Sequence, residues 1–270
     1  SSAASDVYKR QSYNLRYGDF KARISGYYTR IYDQSKVISY YDDVAATFTN
    51  FAMSGIDKVH FGLEAAVSIP IYHTLALNGA VSWGQYTYDS NPYYLQTQDN
   101  SGDIVSDGYV YWKDFRVEST PQTAVNVGLS WRSNNNIYLS ADFNYYNNMY
   151  LSMSPIYRTD AVITGGMAPG DIEHLRRQEK FDSAYTLNLS VGKNWYIHRI
   201  YQLGFSLEVK NILNDQTIRT GGYEQMRLSR RTYVNKEGAA AQPIQYYVPF
   251  DSKYFYLLGT TYYLNVYFRF

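Results

Sequence analysis

Chemistry that could be written on this chain begins with oxygen ligands. The run Asp99-Asn100-Ser101-Gly102-Asp103, followed by Asp107, offers carboxylates and amides of the kind calcium takes. It lacks the full spacing of a calcium loop and the closing bidentate glutamate, so it reads as a solvated loop. The histidines, His60, His73, His174 and His198, are scattered without ligand spacing, and turn or surface positions account for them. No Ser-His-Asp order, nucleophile elbow or phosphate-cradling loop occurs. Gly165-Gly166 and Gly221-Gly222 lack the Lys-Ser/Thr that holding phosphate requires. We therefore expect no catalytic, cofactor-binding or metal-binding residue, and no enzyme.

Residues that could bind rather than react are easier to find. Tyr93, Tyr94, Tyr109, Tyr111 and Trp112 supply rigid rings that could stack on a sugar, a haem or an aromatic siderophore. Loop packing or an interfacial girdle would use the same rings. Arg227, Arg230 and Arg231 could steer an anionic ligand or touch lipopolysaccharide, against the plainer account of a solvated charge run. These eight positions are the candidate ligand contacts.

The elements that must carry them are bounded by composition. At 270 residues the chain can bury a sizeable core without disulfides or metals, and its lack of cysteine removes thiolate chemistry altogether. With 25 Lys+Arg against 24 Asp+Glu there is no basic footprint for nucleic acid. Tyrosine is the unusual quantity: 32 residues, with 12 Phe and 4 Trp. Each buried phenol needs a hydrogen-bond partner, whereas a bilayer interface accepts a ring with one wet end and one apolar end. No run approaches the length of a transmembrane helix, and Ser1–Gln11 has no apolar signal region, so residues 1–11 read as a fragment end outside the fold.

Strict alternation recurs over the remainder, the mark of strands with one apolar and one polar face. Phe61, Leu63, Ala65, Val67 and Ile69 share a face, as do Leu75, Leu77, Val81 and Trp83. Val125 to Trp131, Leu139 to Tyr145, Tyr185 to Val191 and Leu203 to Val209 repeat the pattern, and Tyr262, Leu264, Val266, Phe268 and Phe270 end it. With Tyr13–Tyr17 and Phe20–Tyr32 this gives about nine strands, each long enough for a tilted bilayer crossing of roughly 9–11 residues. Their connections fall into two classes. Short ones lie at Gly18-Asp19, Tyr72-His73-Thr74, Ser133-Asn134-Asn135-Asn136 and Ile197-His198-Arg199; long ones run Gln34–Phe51, Asp89–Thr120, Ser152–Lys180 and Asp215–Asp251. Brief turns at one rim and long loops at the other are what a membrane meander requires.

Charged residues sit on the faces opposite the apolar rows: Arg23, Glu64, Arg132, Asp142, Glu208, Lys210 and Arg269. A wet lumen tolerates them, whereas a dry core would charge several kcal/mol for each unpaired one. An odd strand count with a free N-terminal edge implies that pairing continues upstream. The expected architecture is all-β: an incomplete, transmembrane, antiparallel up-and-down β-barrel over residues 12–270.

Val209-Lys210-Asn211-Ile212-Leu213-Asn214-Asp215, Thr220-Gly221-Gly222-Tyr223-Glu224-Gln225 and the terminal Tyr263-Leu264-Asn265-Val266-Tyr267-Phe268-Arg269-Phe270 resemble the C-terminal barrel strands of TonB-dependent outer-membrane receptors, particularly those of Bacteroidales. Ser119-Thr120-Pro121-Gln122-Thr123-Ala124 and Ser154-Pro155-Ile156-Tyr157-Arg158-Thr159 are similar to the same family. The resemblance implies about nine strands of a barrel of about 22, closed around a plug that is absent from this chain. It implies import of a scarce nutrient (siderophore, vitamin, glycan or peptide) across the bacterial outer membrane. The implied partners are outer-membrane lipid, the TonB complex through the missing plug region, a surface lipoprotein, and the barrel assembly machinery, which would read Phe268 and Phe270 on the terminal strand. A passive porin-like channel is the alternative; a barrel enzyme or a soluble tyrosine-rich lectin would need, respectively, a rim cluster of catalytic groups or an aqueous fold.

Overall fold

A computed structural model of the protein describes residues 5–118, 120–164, 172–173, 176–234 and 243–270. In chain order the elements are β1 (Ser5–Tyr17), β2 (Phe20–Asp42), β3 (Thr47–Pro70), β4 (Leu75–Tyr88), β5 (Tyr93–Gln98), β6 (Ile104–Tyr109), β7 (Thr123–Arg132), β8 (Ile137–Asn147), a 3-10 turn at Pro155–Arg158 and α1 (Asp160–Ile163). They continue with β9 (Ala184–Ile197), β10 (Tyr201–Lys210), β11 (Arg219–Tyr223), β12 (Leu228–Val234), β13 (Pro243–Pro249), β14 (Lys253–Tyr256) and β15 (Thr261–Arg269).

The main sheet is an antiparallel meander in the order β1-β2-β3-β4-β7-β8-β9-β10-β15, with β5 and β6 added to β3 off that path. Its register brings the apolar rows side by side. Leu63 lies opposite Trp83, Val81 opposite Val125, Leu129 opposite Leu77, Val127 opposite Phe143, and Leu207 opposite Leu264. Nothing among the described residues covers this face: Leu63 is 56% and Leu264 63% exposed. The opposite face is laced with side-chain hydrogen bonds, because alternate residues there are small or polar. Asn126 donates to Asn144 (2.7 Å), Asn144 to Thr186 (3.4 Å), and Arg10 reaches Glu64 at 2.8 Å. The Tyr27 hydroxyl lies over Gly62 and Gly84, where a Cβ would come within 2.5 and 2.6 Å of it. Two cross-strand glycines are what leave room for that hydroxyl.

The short turns fall where expected, between β1 and β2, β3 and β4, β7 and β8, and β9 and β10. The last of these holds His198 and Arg199 at φ 52° and 60°, the left-handed pair that matches hairpin twist and that Asn-Gly usually supplies.

Two expectations need correction. Residues 5–11 are not outside the fold: they continue β1 and pair with Gly26–Tyr32, and Arg10 ties that segment to β3 through Glu64. The span Gln34–Phe51 is no long loop either. After an irregularity near Gln34, with Asp33 at φ 55° and Gly55 at φ 71°, β2 and β3 run on to a tight turn at residues 43–46. Alternation is hidden there because both faces carry apolar residues, Val37, Tyr41 and Phe48 on one and Ile38, Phe51 and Met53 on the other. The other long connections contain structure of their own: the β5–β6 hairpin, the 3-10 turn with α1, and β11 to β13.

These segments build the hydrophobic core, which sits at the rim opposite the short turns. On β4, Ser82, Gly84, Tyr86 and Tyr88 alternate along the polar face, and Tyr88 is buried there against Trp112 with ring centroids 4.6 Å apart. The long connections therefore fold back over the polar face and cap it.

Candidate functional site

The cap is the one place where this chain buries charge, aromatic rings and a cavity together among the described residues. Its floor is the upper part of β2 and β3 extended by β5 and β6. Phe51 of β3 and Tyr94 of β5 stack there at 4.8 Å, nearly parallel at 12°. Residues Pro155–Ile163 lie over this floor, started by Pro155 at the head of the 3-10 turn and by Thr159, whose Oγ1 accepts from Val162 N to cap α1.

Arg158 holds the overlying segment in place. It is fully buried, and its five N–H donors are all used. Nη1 donates to Glu224 Oε2 (2.8 Å) and Ser154 O (2.9 Å), Nη2 to Glu224 Oε1 (3.0 Å) and Arg177 O (3.1 Å), and Nε to Arg176 O (3.3 Å). The guanidinium also lies over the Phe115 ring. A planar fork on a carboxylate, with every remaining donor on a carbonyl, is the geometry that makes a buried ion pair tolerable. Glu224 also accepts from Ser154 N (3.0 Å), and Tyr157 donates to Gln225 O (2.5 Å), so the segment after β11 is pinned to the 3-10 turn at several points. Burial pushes the Tyr157 phenol well above its ordinary range, and the Glu224 charge adds to that shift.

Between floor and cover lies a cavity of about 250 Å³. Phe51, Tyr94, Ile156, Val162, Met226 and Leu228 give it apolar walls, and Tyr40, Asp42 and Gln96 form a polar end. Asp42 Oδ1 accepts from Val44 N (2.8 Å) and Ala45 N (3.0 Å), and its Oδ2 accepts from Gln96 Nε2 (2.6 Å). Burial first, then the Asp42 carboxylate, raises the Tyr40 phenol far above the usual value. Arg227 and Asp43 form a bidentate pair at 2.9 and 2.7 Å. Asp43 stands between wall residues Asp42 and Val44, and Arg227 between wall residues Met226 and Leu228, so the pair straps two wall segments together.

The aromatic candidates separate into two sets. Tyr94 and Trp112 are 1% and 2% exposed and belong to the core, Tyr94 also lining the cavity. Tyr93 and Tyr109 are exposed on the β5–β6 hairpin as an edge-to-face pair at 5.8 Å, with Tyr93 donating to Asp107 (2.9 Å). Tyr111 donates to Asp160 (2.5 Å), the carboxylate that also takes Tyr109 N (2.7 Å). Arg227 is engaged by Asp43, while Arg230 and Arg231 lie on β12. Phe268 stacks on Tyr201 at 5.7 Å, and Phe270 is 94% exposed beyond β15.

The weaker motifs dissolve into local structure. Asn50 donates to Asp99, and Ser101 to Asp103, as side-chain turn contacts. His60 is hydrogen-bonded to Tyr27, His73 and His198 lie in turns, and His174 and Gly165-Gly166 lie outside the described residues. Among the described residues no three His, Cys, Asp or Glu side chains gather as a metal group would need. Arg158, Asp43 and Gln96 carry most of the site's geometry, and nothing in their sequence context marks them as binding residues; the one signal is that Arg158 and Glu224 stand inside two segments that resemble a common family. No protein-family model matches the chain, and no curated protein matches it.

Proposed function

We propose that this chain forms part of the wall and outer loops of a bacterial outer-membrane barrel of the TonB-dependent receptor type, importing a scarce nutrient. The observation that carries the reading is the two-sidedness of the main sheet. A contiguous row of Leu63, Val81, Trp83, Val127, Leu129, Leu139, Leu264 and Val266 is exposed, a surface that water would drive into association and that lipid accepts without cost. Trp131, Trp195 and Phe268 stand near the short-turn ends of their strands, as interfacial aromatics do. Of the charges on this face, Lys9 lies opposite Tyr28 and Arg30 opposite Val59, Arg30 pairing with Asp89 at 2.6 Å, and Lys193 reaches to Asn135 O in a short turn at 3.1 Å.

The cap favours the gated transporter over the passive channel. An open pore needs its mouth clear, whereas here the long connections pack over the polar face through a buried ion pair and a hydrophobic core. In this reading the sheet edges at β1 and β15 pair with further strands of the same barrel, since an open edge in hydrocarbon is untenable. Lipid, the TonB complex, the assembly machinery at β15 and a surface lipoprotein are the partners, and the chain performs no catalysis.

The test is reconstitution of the chain with lipids brominated along the acyl chain. Strong quenching of Trp83 and Trp131 supports the reading; a chain that remains in the aqueous phase on detergent phase separation, with unquenched tryptophans, overturns it. Conductance of the whole receptor in planar bilayers then separates the functions: a steady open current would assign the channel.

A further inference from the structure

The cavity in the cap is neither used nor explained by a barrel wall. The pocket, about 250 Å³ and open to solvent at its rim, has room for a small ring, and a core that only had to hold the cap together would fill that space with its own side chains. Its shape is also graded. Val44, Ala45, Val105 and Ala161 at the rim are exposed, whereas Phe51, Tyr94, Gln96, Ile156, Thr159 and Val162 at the bottom are buried. The stacked rings of Phe51 and Tyr94 both line it.

The polar end has a definite sense. Gln96 is 5% exposed, and its amide nitrogen is committed to Asp42 Oδ2 (2.6 Å), Tyr40 Oη (2.7 Å) and Thr49 Oγ1 (3.3 Å). An ionised carboxylate can only accept, which fixes the nitrogen on that side and turns the other way the carbonyl Oε1. Ser106 is taken by Tyr94 (2.8 Å), and Thr159 donates to Ile156 O (3.0 Å). The polar end therefore offers an acceptor beside a negative charge.

We propose that this cavity is a binding site for one compact apolar ring, or a branched hydrocarbon of that size, carrying a neutral hydrogen-bond donor that meets Gln96 Oε1. Phenols are the simplest members of the class. Anionic ligands are excluded because Asp42 repels them in a poorly solvated pocket, and oligosaccharides and metal chelates are excluded by volume. The site rests on the cap's side chains alone and stands or falls independently of whether the sheet spans a membrane.

Titration calorimetry on the full chain in detergent tests this with three probes that share a ring and a methyl group, p-cresol, p-toluate and toluene. Saturable p-cresol binding is expected, with p-toluate at least about tenfold weaker, since one hydrogen bond and one repulsion separate them. Gln96→Met should weaken p-cresol about five- to tenfold while leaving toluene unchanged, and Ala161→Trp, at an exposed rim position, should abolish both. Should Ala161→Trp fail to fold, Ala45→Trp on the opposite rim makes the same test. Equal affinity for p-toluate, unsaturable p-cresol uptake, or full binding by a rim variant that keeps the parent's melting temperature would each overturn the proposal.

Discussion

β7 and β8 in the wall, and the Pro155–Ile163 segment in the cap, are ordered by different forces. Between β7 and β8 the backbone ladder runs unbroken from Thr123↔Asn147 to Arg132↔Tyr138. Their apolar side chains, Val127, Leu129, Leu139 and Phe143, are all exposed. In the Pro155–Ile163 segment the backbone makes few ladder bonds, and side chains do the holding: Arg158 is fully buried, and Ile156, Tyr157 and Val162 are buried in the hydrophobic core. The wall is thus specified locally and needs an external apolar medium, while the cap carries its own medium with it. That difference sorts mutations by region. Damage in the wall should depend on what surrounds the protein, and damage in the cap should not.

The largest effect is expected from Arg158→Ala, which strands the Glu224 carboxylate in a buried site and should cost the cap about 3–5 kcal/mol. Hydrogen exchange should rise at residues 154–164 and 219–228 while β7 to β10 stay protected. Loss of protection throughout would show that wall and cap are one cooperative unit. Arg158→Met with Glu224→Leu should recover most of the loss, because no charge is then left unpaired.

Next comes a matched pair in one strand. Leu129→Arg should lower refolding stability in bilayers by roughly 2–4 kcal/mol, and Ser130→Arg, on the polar face, by far less. Equal costs in lipid, measured by denaturant titration of the reconstituted chain, would break the contrast between the two faces.

The strap between Arg227 and Asp43 is solvent-accessible on the arginine side, so Asp43→Asn should cost at most about 1 kcal/mol. Hydrogen bonding and attraction from Arg227 hold the Asp43 carboxyl below its ordinary value of 3.8. A carboxylate depressed on folding adds stability that is fully present above its unfolded value and fades as pH falls through the folded one. The strap's contribution should therefore persist at neutral pH and vanish only below pH 3.8, and parent and Asp43→Asn melting curves should converge there.

The smallest effect should come from the β9–β10 turn. Arg199→Gly removes the strain of a left-handed side chain at φ 60° and should stabilise the hairpin by about 0.5 kcal/mol, less whatever flexibility glycine adds to the unfolded chain. A melting temperature for this variant clearly below the parent's would contradict the turn assignment.

Much of the wall is legible in the order of its residues. Rows such as Leu203, Phe205, Leu207 and Val209 announce a strand because the pleat repeats every two residues and one face of each strand meets a different medium. The cap is not legible for the converse reason. In Lys36–Asp42 and Thr47–Met53 both faces are apolar, one toward the cap core and one outward, so the period disappears although the strands continue. Among the site residues, Tyr94, Trp112 and Arg227 stand out by type. What each does cannot be read that way, since an indole in a core and an indole on a ligand are the same letter.

By itself, then, the sequence determined an all-β chain with alternating faces, short turns at one end of the strands and long excursions at the other, because those properties follow from the covalent geometry of neighbours. The tertiary structure alone decided that the excursions fold inward over the polar face. It also joined Arg158 to Glu224 and Asp43 to Arg227, and it left a cavity walled by β2, β3, β5, the Pro155–Ile163 segment and β12. Contacts between residues so far apart along the chain depend on where whole segments come to rest, and no local pattern of side chains encodes that position.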